Sequence, residues 1–340
     1  MAPADQPVLE GVPVIDASQF LAQGNAGMRP PQDVIDQIVD ACSSWGFFQL
    51  VNHGVSQQLL DVHYAAMKQF FALPLPEKEA CKRSKDNSMG YFNDEFTKQK
   101  LDLKEGFDFR HTPNPQQPDD HADNYDPQGV NRWPPSYPDF KPINQRYFTE
   151  MSRISFRLLE VIATGLGLQP TALHGLFEPS HTSFLRLNHY PVTPGAAPDS
   201  LGISPHKDAG FLTVLVQDDV AGLQVLREGV WHLVQPLPGA FTINVGDMAQ
   251  VATNDKFFAS NHRVLQSSSR PRYSRAFFFN PSHSVDIQPL QVEAVGDKVP
   301  HYRPINWWEF RSKRYEGDYA NVGEEVQIEW YRVEEGVEAH

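Results

Sequence analysis

The sequence predicts an α+β fold in which helices flank a β-sandwich or jelly-roll core. Runs of roughly four to eight β-forming residues begin near residue 183 and alternate with turn signals at even spacing. Before that point, apolar residues recur mainly at helical spacing. The chain has 340 residues, of which 40% are apolar, so it is long enough to bury one large core.

The first part of the chain is predicted to alternate short strands with amphipathic helices. Residues 12–16 predict a short strand, and the apolar spacing predicts a helix over about 31–45 that Gly46 ends. A buried strand at 47–51 follows it. Ser56 is placed to cap the next helix.

The middle of the chain is predicted to pass from a loop through a long helix into strands. Residues 110–142 carry eight prolines and predict a long loop. The stripe of the long helix comprises Phe148, Met151, Ser155, Leu158, Ile162 and Leu166. Strands are predicted at 184–190, 210–217, 222–226, 231–234, 240–245 and 276–280. We therefore expect a mostly helical region with short strands at 1–180, a jelly-roll core at 181–315, and a C-terminal segment and tail at 316–340, as one structural unit.

Composition excludes several classes of partner and compartment. Asp and Glu number 42 against 29 Lys and Arg, a formal charge of −13 that argues against nucleic acid or an anionic membrane as partner. The two cysteines, Cys42 and Cys81, make no disulfide framework and fit a reducing compartment. The first seven residues lack a secretory pattern, and no apolar run is long enough to span a membrane, so we expect a soluble cytoplasmic protein.

The pattern H-x-D, followed about fifty residues later by a further histidine, is the strongest chemical signal. Residues i and i+2 of a strand share a face, so His206 and Asp208 are expected to point together, and Lys207 away. His262 would join them from a strand distant in sequence. Two imidazoles and one carboxylate form a facial triad, which leaves ferrous iron open positions for other ligands. Alone, H-x-D is weak evidence in a chain with 13 histidines.

A second pattern, R-x-S, predicts a carboxylate site beside the triad. Arg272 and Ser274 share a strand face, and a guanidinium matches a carboxylate bidentately while the hydroxyl adds a donor. Tyr190 and Asn188 alternate on another strand and could bind the same dicarboxylic cosubstrate. The alternative is that these side chains belong to basic or wet surfaces.

Three further residues are candidates for substrate contacts. Arg186 shares the face of Asn188 and could meet an acidic or phenolic group. Phe278 and Asn280 continue the face of Ser274, although an aromatic residue there could equally be core. The loop at 110–142 and the C-terminal helix are expected to complete the pocket. The Gly246–Asp247 step and the pair Trp307–Trp308 were interpreted as a structural turn and as surface packing, respectively, and His53 as a ligand of backbone groups.

In these motifs the chain resembles the plant-type Fe(II)/2-oxoglutarate-dependent dioxygenase superfamily, which includes isopenicillin N synthase and aminocyclopropane carboxylate oxidase. The similarity extends over about residues 10–315. The motifs that carry it are Val12–Asp16, Trp45–Gly54, Leu103–Asp108, Asn188–Pro191, His206–Asp208, Gln217–Asp219, Gly222–Gln224, Asn244–Asp247, His262–Val264 and Arg272–Ser274. Lys207 and His189 depart from residues that many members have at these positions, but neither is in the ligand set.

The resemblance implies a double-stranded β-helix (jelly-roll, cupin-like) core flanked by helices. It implies Fe(II), 2-oxoglutarate and O2 as cofactors, with ascorbate a candidate reductant. By the same resemblance His206, Asp208 and His262 hold the metal, and Arg272, Ser274 and Tyr190 bind the cosubstrate carboxylate, with Asn188 near both.

The function expected from these features is oxidation of a small-molecule metabolite with release of succinate and CO2. Hydroxylation, desaturation and ring closure are all open to such a site. One alternative is an Fe(II) oxidase of the same fold that does not use 2-oxoglutarate, as in isopenicillin N synthase and aminocyclopropane carboxylate oxidase. Others are a non-catalytic small-molecule-binding protein and a zinc hydrolase, which would need a general-base glutamate that is not evident near H-x-D. The sequence indicates neither the substrate nor the oligomeric state.

Overall fold

The computed structural model describes most of the chain. The described ranges are 11–21, 29–97, 100–114, 116–124, 129–192, 200–296, 299–319 and 325–333. The prediction about the first seven residues falls outside them, as do residues 320–324 and 334–340 of the predicted C-terminal segment and tail. Among the helices of these ranges, none combines the length and apolar character needed to cross a membrane.

Helices flank a strand-rich core, as predicted. They are α1 (Gln32–Ser44), α2 (Gln57–Phe71), α3 (Leu75–Glu79), α4 (Phe140–Gly165), α5 (Asp247–Ala252) and α6 (Trp307–Tyr319). The predicted stripe of α4 is buried from Phe148 to Ile162, and Leu166 lies buried at its C-cap. Helix α3 was not predicted, because Pro74 and Pro76 suggested only an end. Proline is tolerated in a first helical turn, where its missing N–H needs no partner.

The described strands form two main sheets and two small ribbons. They are β1 (Val14–Asp16), β2 (Phe47–Val51), β3 (Gly90–Phe92), β4 (Phe96–Thr97), β5 (Lys100–Leu101), β6 (Glu105–Arg110), β7 (Phe184–Tyr190), β8 (Leu201–His206), β9 (Leu212–Gln217), β10 (Leu223–Arg227), β11 (Val230–Leu233), β12 (Phe241–Val245), β13 (His262–Leu265), β14 (Arg272–Phe279), β15 (Asp286–Ile287) and β16 (Ile305–Asn306). The large sheet has the order β1-β2-β12-β9-β14-β7-β6-β3, and the small sheet the order β11-β10-β13-β8. The predicted jelly-roll core with flanking helices is confirmed.

Strands from both sides of residue 180 share the large sheet. Strand β2 pairs with β12, and β6 pairs with β7 along its whole length. The proposed boundary at 180 therefore divides the sequence but not this sheet. Strand β6 was missed because Glu105, Asp108 and Arg110 interrupt its apolar pattern, and their charges are satisfied by partners distant in sequence.

Strand β8 was also missed, although it carries a residue of the predicted triad. Gly202 and Pro205 argue against a central strand. In the fold β8 lies at the edge of the small sheet, where the missing N–H of a proline costs no hydrogen bond to a neighbouring strand.

Two apolar cores lie on opposite sides of the large sheet. The larger one packs the helices against its outer face, where alternate residues of β14, Phe277 and Phe279, are buried. The smaller one lies between the two sheets and includes Phe47 from the large sheet and Val225 from the small one. The intervening residues of β14 face inward with Phe278, so the period of two predicted for this strand directs its polar residues into the space between the sheets.

Gly46 ends the first helix as predicted, by a close approach of the backbone. Its φ is +65°, in the left-handed region that favours glycine. A Cβ at this position would lie 2.1 Å from the Phe258 carbonyl oxygen. Substitution would therefore displace the segment that leads to β13.

Candidate functional site

The three residues of the predicted triad converge at one end of the space between the sheets. His206, the last residue of β8, lies directly opposite His262, the first residue of β13. The Oδ1 atom of Asp208 is 3.8 Å from His206 Nε2 and 3.6 Å from His262 Nε2. The geometric reason given from the sequence is wrong for Asp208, since β8 ends at His206 and the carboxylate lies in the loop beyond it.

Backbone carbonyls orient both imidazoles. The Nδ1 atom of His206 lies 2.8 Å from the Ser204 carbonyl oxygen, and that of His262 lies 3.2 Å from the Ser260 carbonyl oxygen. When Nδ1–H donates to these carbonyls, each Nε2 keeps its lone pair and points toward the shared space. The rings are thus prepared as metal ligands before any metal binds.

Asp208 is oriented by two polar side chains that sequence reasoning did not identify as site residues. Its Oδ2 accepts hydrogen bonds from Thr213 Oγ1 at 2.5 Å and Asn244 Nδ2 at 2.7 Å, which leaves Oδ1 toward the imidazoles. Both donors are buried on apolar strands. Polar residues within such strands were the signal that could have revealed them, because buried polar groups need partners.

The electrostatics of the cluster suit a divalent cation. Burial, and secondarily the neighbouring His262, lowers the pKa of His206 to about 3. Burial alone would raise the pKa of Asp208, but the two imidazoles and the bonds from Asn244 and Thr213 lower it overall. At neutral pH His206 is therefore neutral and Asp208 ionised, the protonation states that metal binding requires.

The ligand atoms fit a single ion. One donor atom from each of His206, Asp208 and His262 lies within 4.8 Å of the other two, and the described residues contain no other such cluster. Two nitrogens and one oxygen on one side, facing a cavity, match the facial triad of non-haem Fe(II) enzymes. The donor set thus fits Fe(II), with room for other ligands on the cavity side.

Arg272 and Ser274 lie on the cavity wall, as the R-x-S pattern predicts. Arg272 is 1% exposed, and it donates to neutral acceptors, the Val220 carbonyl at 3.2 Å and Gln217 Oε1 at 3.0 Å. Its Nη1 is buried without a hydrogen-bond partner, and the acceptors of its other N–H groups among the described residues are uncharged. A buried guanidinium with an unused donor fits an anionic ligand.

Tyr190 and Asn188 stand beside this arginine in register. In the pairing of β7 with β14, Tyr190 lies opposite Arg272, and Asn188 lies opposite Ser274. The Arg272 guanidinium is 5.1 Å from the centre of the Tyr190 ring, and Asn188 Nδ2 lies 3.4 Å from Ser274 Oγ. Asn188 Oδ1 is buried without a partner. All four side chains line the cavity, as expected from the alternation of the two strands.

His189, between them, faces the opposite way, as expected. It bonds Glu105 at 2.7 Å and stacks on Tyr273, with 4.6 Å between ring centres. His53 also behaves as interpreted, since its Nε2 lies 2.6 Å from the Gly239 carbonyl oxygen and its Nδ1 accepts from the Val55 N–H.

The role suggested for Arg186 needs correction. Arg186 lines the cavity, but it forms a bidentate pair with Asp108, at 2.8 and 2.7 Å, and a third bond to Glu95 at 2.9 Å. Glu95 also binds Lys104 at 2.7 Å, and Lys104 binds Asp102 at 2.9 Å. The guanidinium is therefore already neutralised by protein carboxylates. The sequence could not show this, because both partners come from segments about 80 to 90 residues earlier.

The other two substrate candidates lie on the cavity wall. The Phe278 ring stacks on Phe184, with 4.6 Å between ring centres. Asn280 lines the same cavity. Its backbone N–H donates to Ser183 Oγ at 3.0 Å, which orders the end of this wall.

Two expectations about the rest of the wall are wrong. None of the described residues of 110–142 lines the cavity. That loop bonds to itself, for example through Arg110 and Asn131, and the cavity is lined instead by Ser88, Met89, Glu95, Lys104 and Asp108. Trp307 is fully buried rather than on the surface, lines the cavity, and donates from Nε1 to Thr182 Oγ1 at 2.8 Å. The C-terminal helix α6 does complete the pocket, as predicted.

The Gly246–Asp247 step starts helix α5 rather than a simple turn. Asp247 is buried and pairs with Arg314 at 3.1 Å. Burial raises the pKa of Asp247 to about 6, although Arg314 opposes the shift.

Comparison with known proteins shows the family. Residues 12–136 match the family described as non-haem dioxygenase in morphine synthesis N-terminal, and residues 181–281 match the 2OG-Fe(II) oxygenase superfamily. Jasmonate-induced oxygenase 2 of Arabidopsis thaliana is 33% identical over 318 residues, 90% of this chain and 80% of that protein. Gibberellin 20 oxidase 1 of Oryza sativa subsp. japonica is 34% identical over 304 residues, 85% of this chain and 79% of that protein.

A solved structure agrees with these sequence relatives. The crystal structure of JOX2 in complex with 2OG, Fe and JA is similar with a TM-score of 0.74 and 31% identity, covering 89% of this chain and 84% of that one. The chain therefore belongs to the 2OG-Fe(II) oxygenase superfamily. It is a 2-oxoglutarate-dependent non-haem Fe(II) dioxygenase, with Fe(II), 2-oxoglutarate and O2 as cofactors, as the sequence predicts.

Proposed function

We propose that this enzyme oxidises a small organic molecule at a site built on His206, Asp208 and His262. The observation that carries the proposal is that the triad and the buried Arg272, which donates only to neutral acceptors among the described residues, open into one cavity. The triad would hold Fe(II), and Arg272 would hold the distal carboxylate of 2-oxoglutarate. When bound, Fe(II) and 2-oxoglutarate use O2 to oxidise a C–H bond of the substrate, with release of succinate and CO2.

The protein's contribution is to fix positions and charges. Thr213 and Asn244 hold the outer oxygen of Asp208, so that the inner oxygen stays directed at the metal position. The carbonyls of Ser204 and Ser260 keep each imidazole in the tautomer that ligates through Nε2.

The cosubstrate end is suited to a carboxylate by the geometry of its donors. Arg272 offers the unpartnered Nη1, and Ser274 offers a hydroxyl on the same strand face. We propose that Tyr190 adds a hydroxyl donor and that Asn188, with an unpartnered Oδ1, lies between this carboxylate and the metal. Burial excludes water, which strengthens these charge-assisted bonds.

The substrate end favours an organic molecule with a flat apolar part. Phe184, Phe278 and Trp307 form its aromatic wall. Binding of JA in the JOX2 structure supports a small organic substrate here as well. Because Arg186 is already paired with two carboxylates, we propose that it shapes this wall rather than binding a substrate acid. The pose of the substrate would decide among hydroxylation, desaturation and ring closure.

Reconstitution tests the proposal directly. The purified protein is loaded anaerobically with Fe(II) and 2-oxoglutarate, and the metal-to-ligand charge-transfer band is recorded while candidate metabolites are added. A substrate should perturb the band, and O2 uptake with that metabolite should then require 2-oxoglutarate and form succinate. Substrate oxidation that proceeds equally well without 2-oxoglutarate would instead support the oxidase alternative.

A further inference from the structure

The side chain of Arg314, on helix α6, connects the triad loop to the segment at 325–333. Its guanidinium is 4% exposed, and its Nη2 donates to the Lys207 carbonyl and to Asp247 Oδ2, each at 3.1 Å. Lys207 lies between the two triad residues of the H-x-D pattern. The Asp247 N–H in turn donates to the Asp208 carbonyl at 2.8 Å. The guanidinium thus holds the carbonyl that precedes Asp208 directly, and the residue that holds the Asp208 carbonyl is its own ion-pair partner, Asp247.

The same guanidinium holds the segment at 325–333. Its Nε lies 2.8 Å from Glu325 Oε1, and its Nη1 donates to the Val326 carbonyl. Glu325, like Arg314, lines the cavity. Further anchors of the segment include the pair of Lys207 with Glu329 at 3.2 Å and the pair of Arg332 with Asp255 at 3.0 Å.

Only an arginine can make this set of contacts. Its four acceptors come from the triad loop, from the start of α5 and from the segment at 325–333, and they lie around a single plane of donors. The planar fork presents five N–H groups, whereas a lysine presents a single charge with three donors. If Arg314 served only to balance a buried charge, one of its two carboxylate partners, Asp247 or Glu325, would be enough.

We propose that Arg314 is a positioning residue for the metal centre. It sets the path of the backbone that carries His206 and Asp208 through its bonds to the Lys207 carbonyl and to Asp247. The inference rests on the proposed metal site. Arg314 contacts neither the triad side chains nor the proposed carboxylate of 2-oxoglutarate, so its effect is on metal affinity rather than on the cosubstrate.

Metal titration of three variants tests the inference. Full-length parent, Arg314→Gln, Arg314→Lys and Lys313→Gln proteins are titrated anaerobically with Fe(II) at saturating 2-oxoglutarate, and the charge-transfer band is followed. Arg314→Gln should raise the apparent Kd for Fe(II) about 10–100-fold, the usual cost of losing an outer-shell partner. Arg314→Lys should lie between it and the parent. The matched control Lys313→Gln removes the same charge from an exposed neighbour and should leave the Kd unchanged.

A further variant, Arg332→Gln, separates an effect on metal-site positioning from a general loss of stability. Arg332→Gln loosens the segment at 325–333 at the Asp255 anchor, far along the chain from the triad loop. It should lower the Tm of the metal-free protein but leave the Kd for Fe(II) unchanged. The inference is overturned if Arg314→Gln and Arg314→Lys bind Fe(II) as the parent does, or if Arg332→Gln weakens binding as much at an equal loss of Tm. If Arg314→Gln does not fold, Arg314→Lys and Arg332→Gln carry the comparison.

The same titration distinguishes failure of this inference from failure of the proposed site. If the parent protein binds no Fe(II), or if His206→Ala binds it as well as the parent does, the proposed metal site is wrong. If the parent binds Fe(II), His206→Ala does not, and both Arg314 variants match the parent, the site stands and only the role of Arg314 is lost.

Discussion

The cavity wall presents two arginines, the buried Arg272 and the partly buried Arg186, and the two differ in their partners. Arg272, on β14, has only neutral described acceptors and one unused donor. Arg186, on the neighbouring β7, is paired with Asp108 and Glu95. Residue type and strand face are therefore poor guides to ligand binding, because the carboxylates nearby decide whether a buried cation is available. Arg272 is prepared for an anion, and Arg186 is neutralised internally.

The largest effect is expected at the triad, which lines the same cavity as both arginines. His206→Ala or Asp208→Ala should reduce substrate-coupled succinate formation by more than about 100-fold, since changes in outer-shell partners alone cost about 10–100-fold in metalloenzymes. Circular dichroism should show the fold retained. His232→Ala, a histidine on β11 that packs edge-on against Trp45, is the control and should keep full activity. Normal succinate formation in either triad variant contradicts the proposed site.

The second-largest effect is expected in the KM for 2-oxoglutarate, which should distinguish Arg272 from Arg186. Arg272→Lys should raise the KM for 2-oxoglutarate about 10–100-fold, because a single charge replaces a bidentate fork worth about 1.5–3 kcal/mol. Arg186→Lys is the matched control, and its KM for 2-oxoglutarate should stay near that of the parent. Steady-state kinetics with varied 2-oxoglutarate measure both. Equal increases in the two variants would show that the two arginines are not functionally distinct.

The structural role of Arg186 is tested by measuring the free energy of unfolding. Arg186→Gln leaves Glu95 and Asp108 buried without their shared cation, so the free energy of unfolding should fall by about 3–5 kcal/mol. Urea denaturation at pH 7 measures it. Arg153→Gln, which breaks a half-exposed pair with Glu150, should cost only about 0–1 kcal/mol. Comparable losses in the two variants would contradict the structural role assigned to Arg186.

The smallest effect is expected in the pH dependence of the stability that Arg186→Gln loses. Burial alone would raise the pKa of Glu95, but Arg186, Lys104 and Arg83 lower it well below its usual value. A depressed folded pKa stabilises the protein above the unfolded pKa of about 4.3 and loses this contribution as the pH falls toward the folded value. The difference in unfolding free energy between parent and Arg186→Gln should therefore shrink below about pH 4. Urea titrations across the acid range that show a constant difference would contradict the assignment.

Prediction from the sequence succeeded where local patterns carry the information. The period of two in β14 correctly placed Arg272, Ser274 and Phe278 on one wall, and helical spacing located α1 and α4. It failed where long-range partners override propensity. Strand β8 contains a glycine and a proline that only an edge position accommodates, and Trp307 was assigned to the surface because its partner, Thr182, lies 125 residues away.

The residue types of the triad and of R-x-S, with their spacing and the resemblance they carry, were enough to indicate the enzyme class, because ligand chemistry depends on a few side chains. Which buried charges remain available was decided only by the tertiary structure. The acids that neutralise Arg186, the Asn244 amide that orients Asp208 and the bond from Arg314 to the Lys207 carbonyl all join positions far apart in sequence. Electrostatic interactions depend on distance in space, and the folded chain sets those distances.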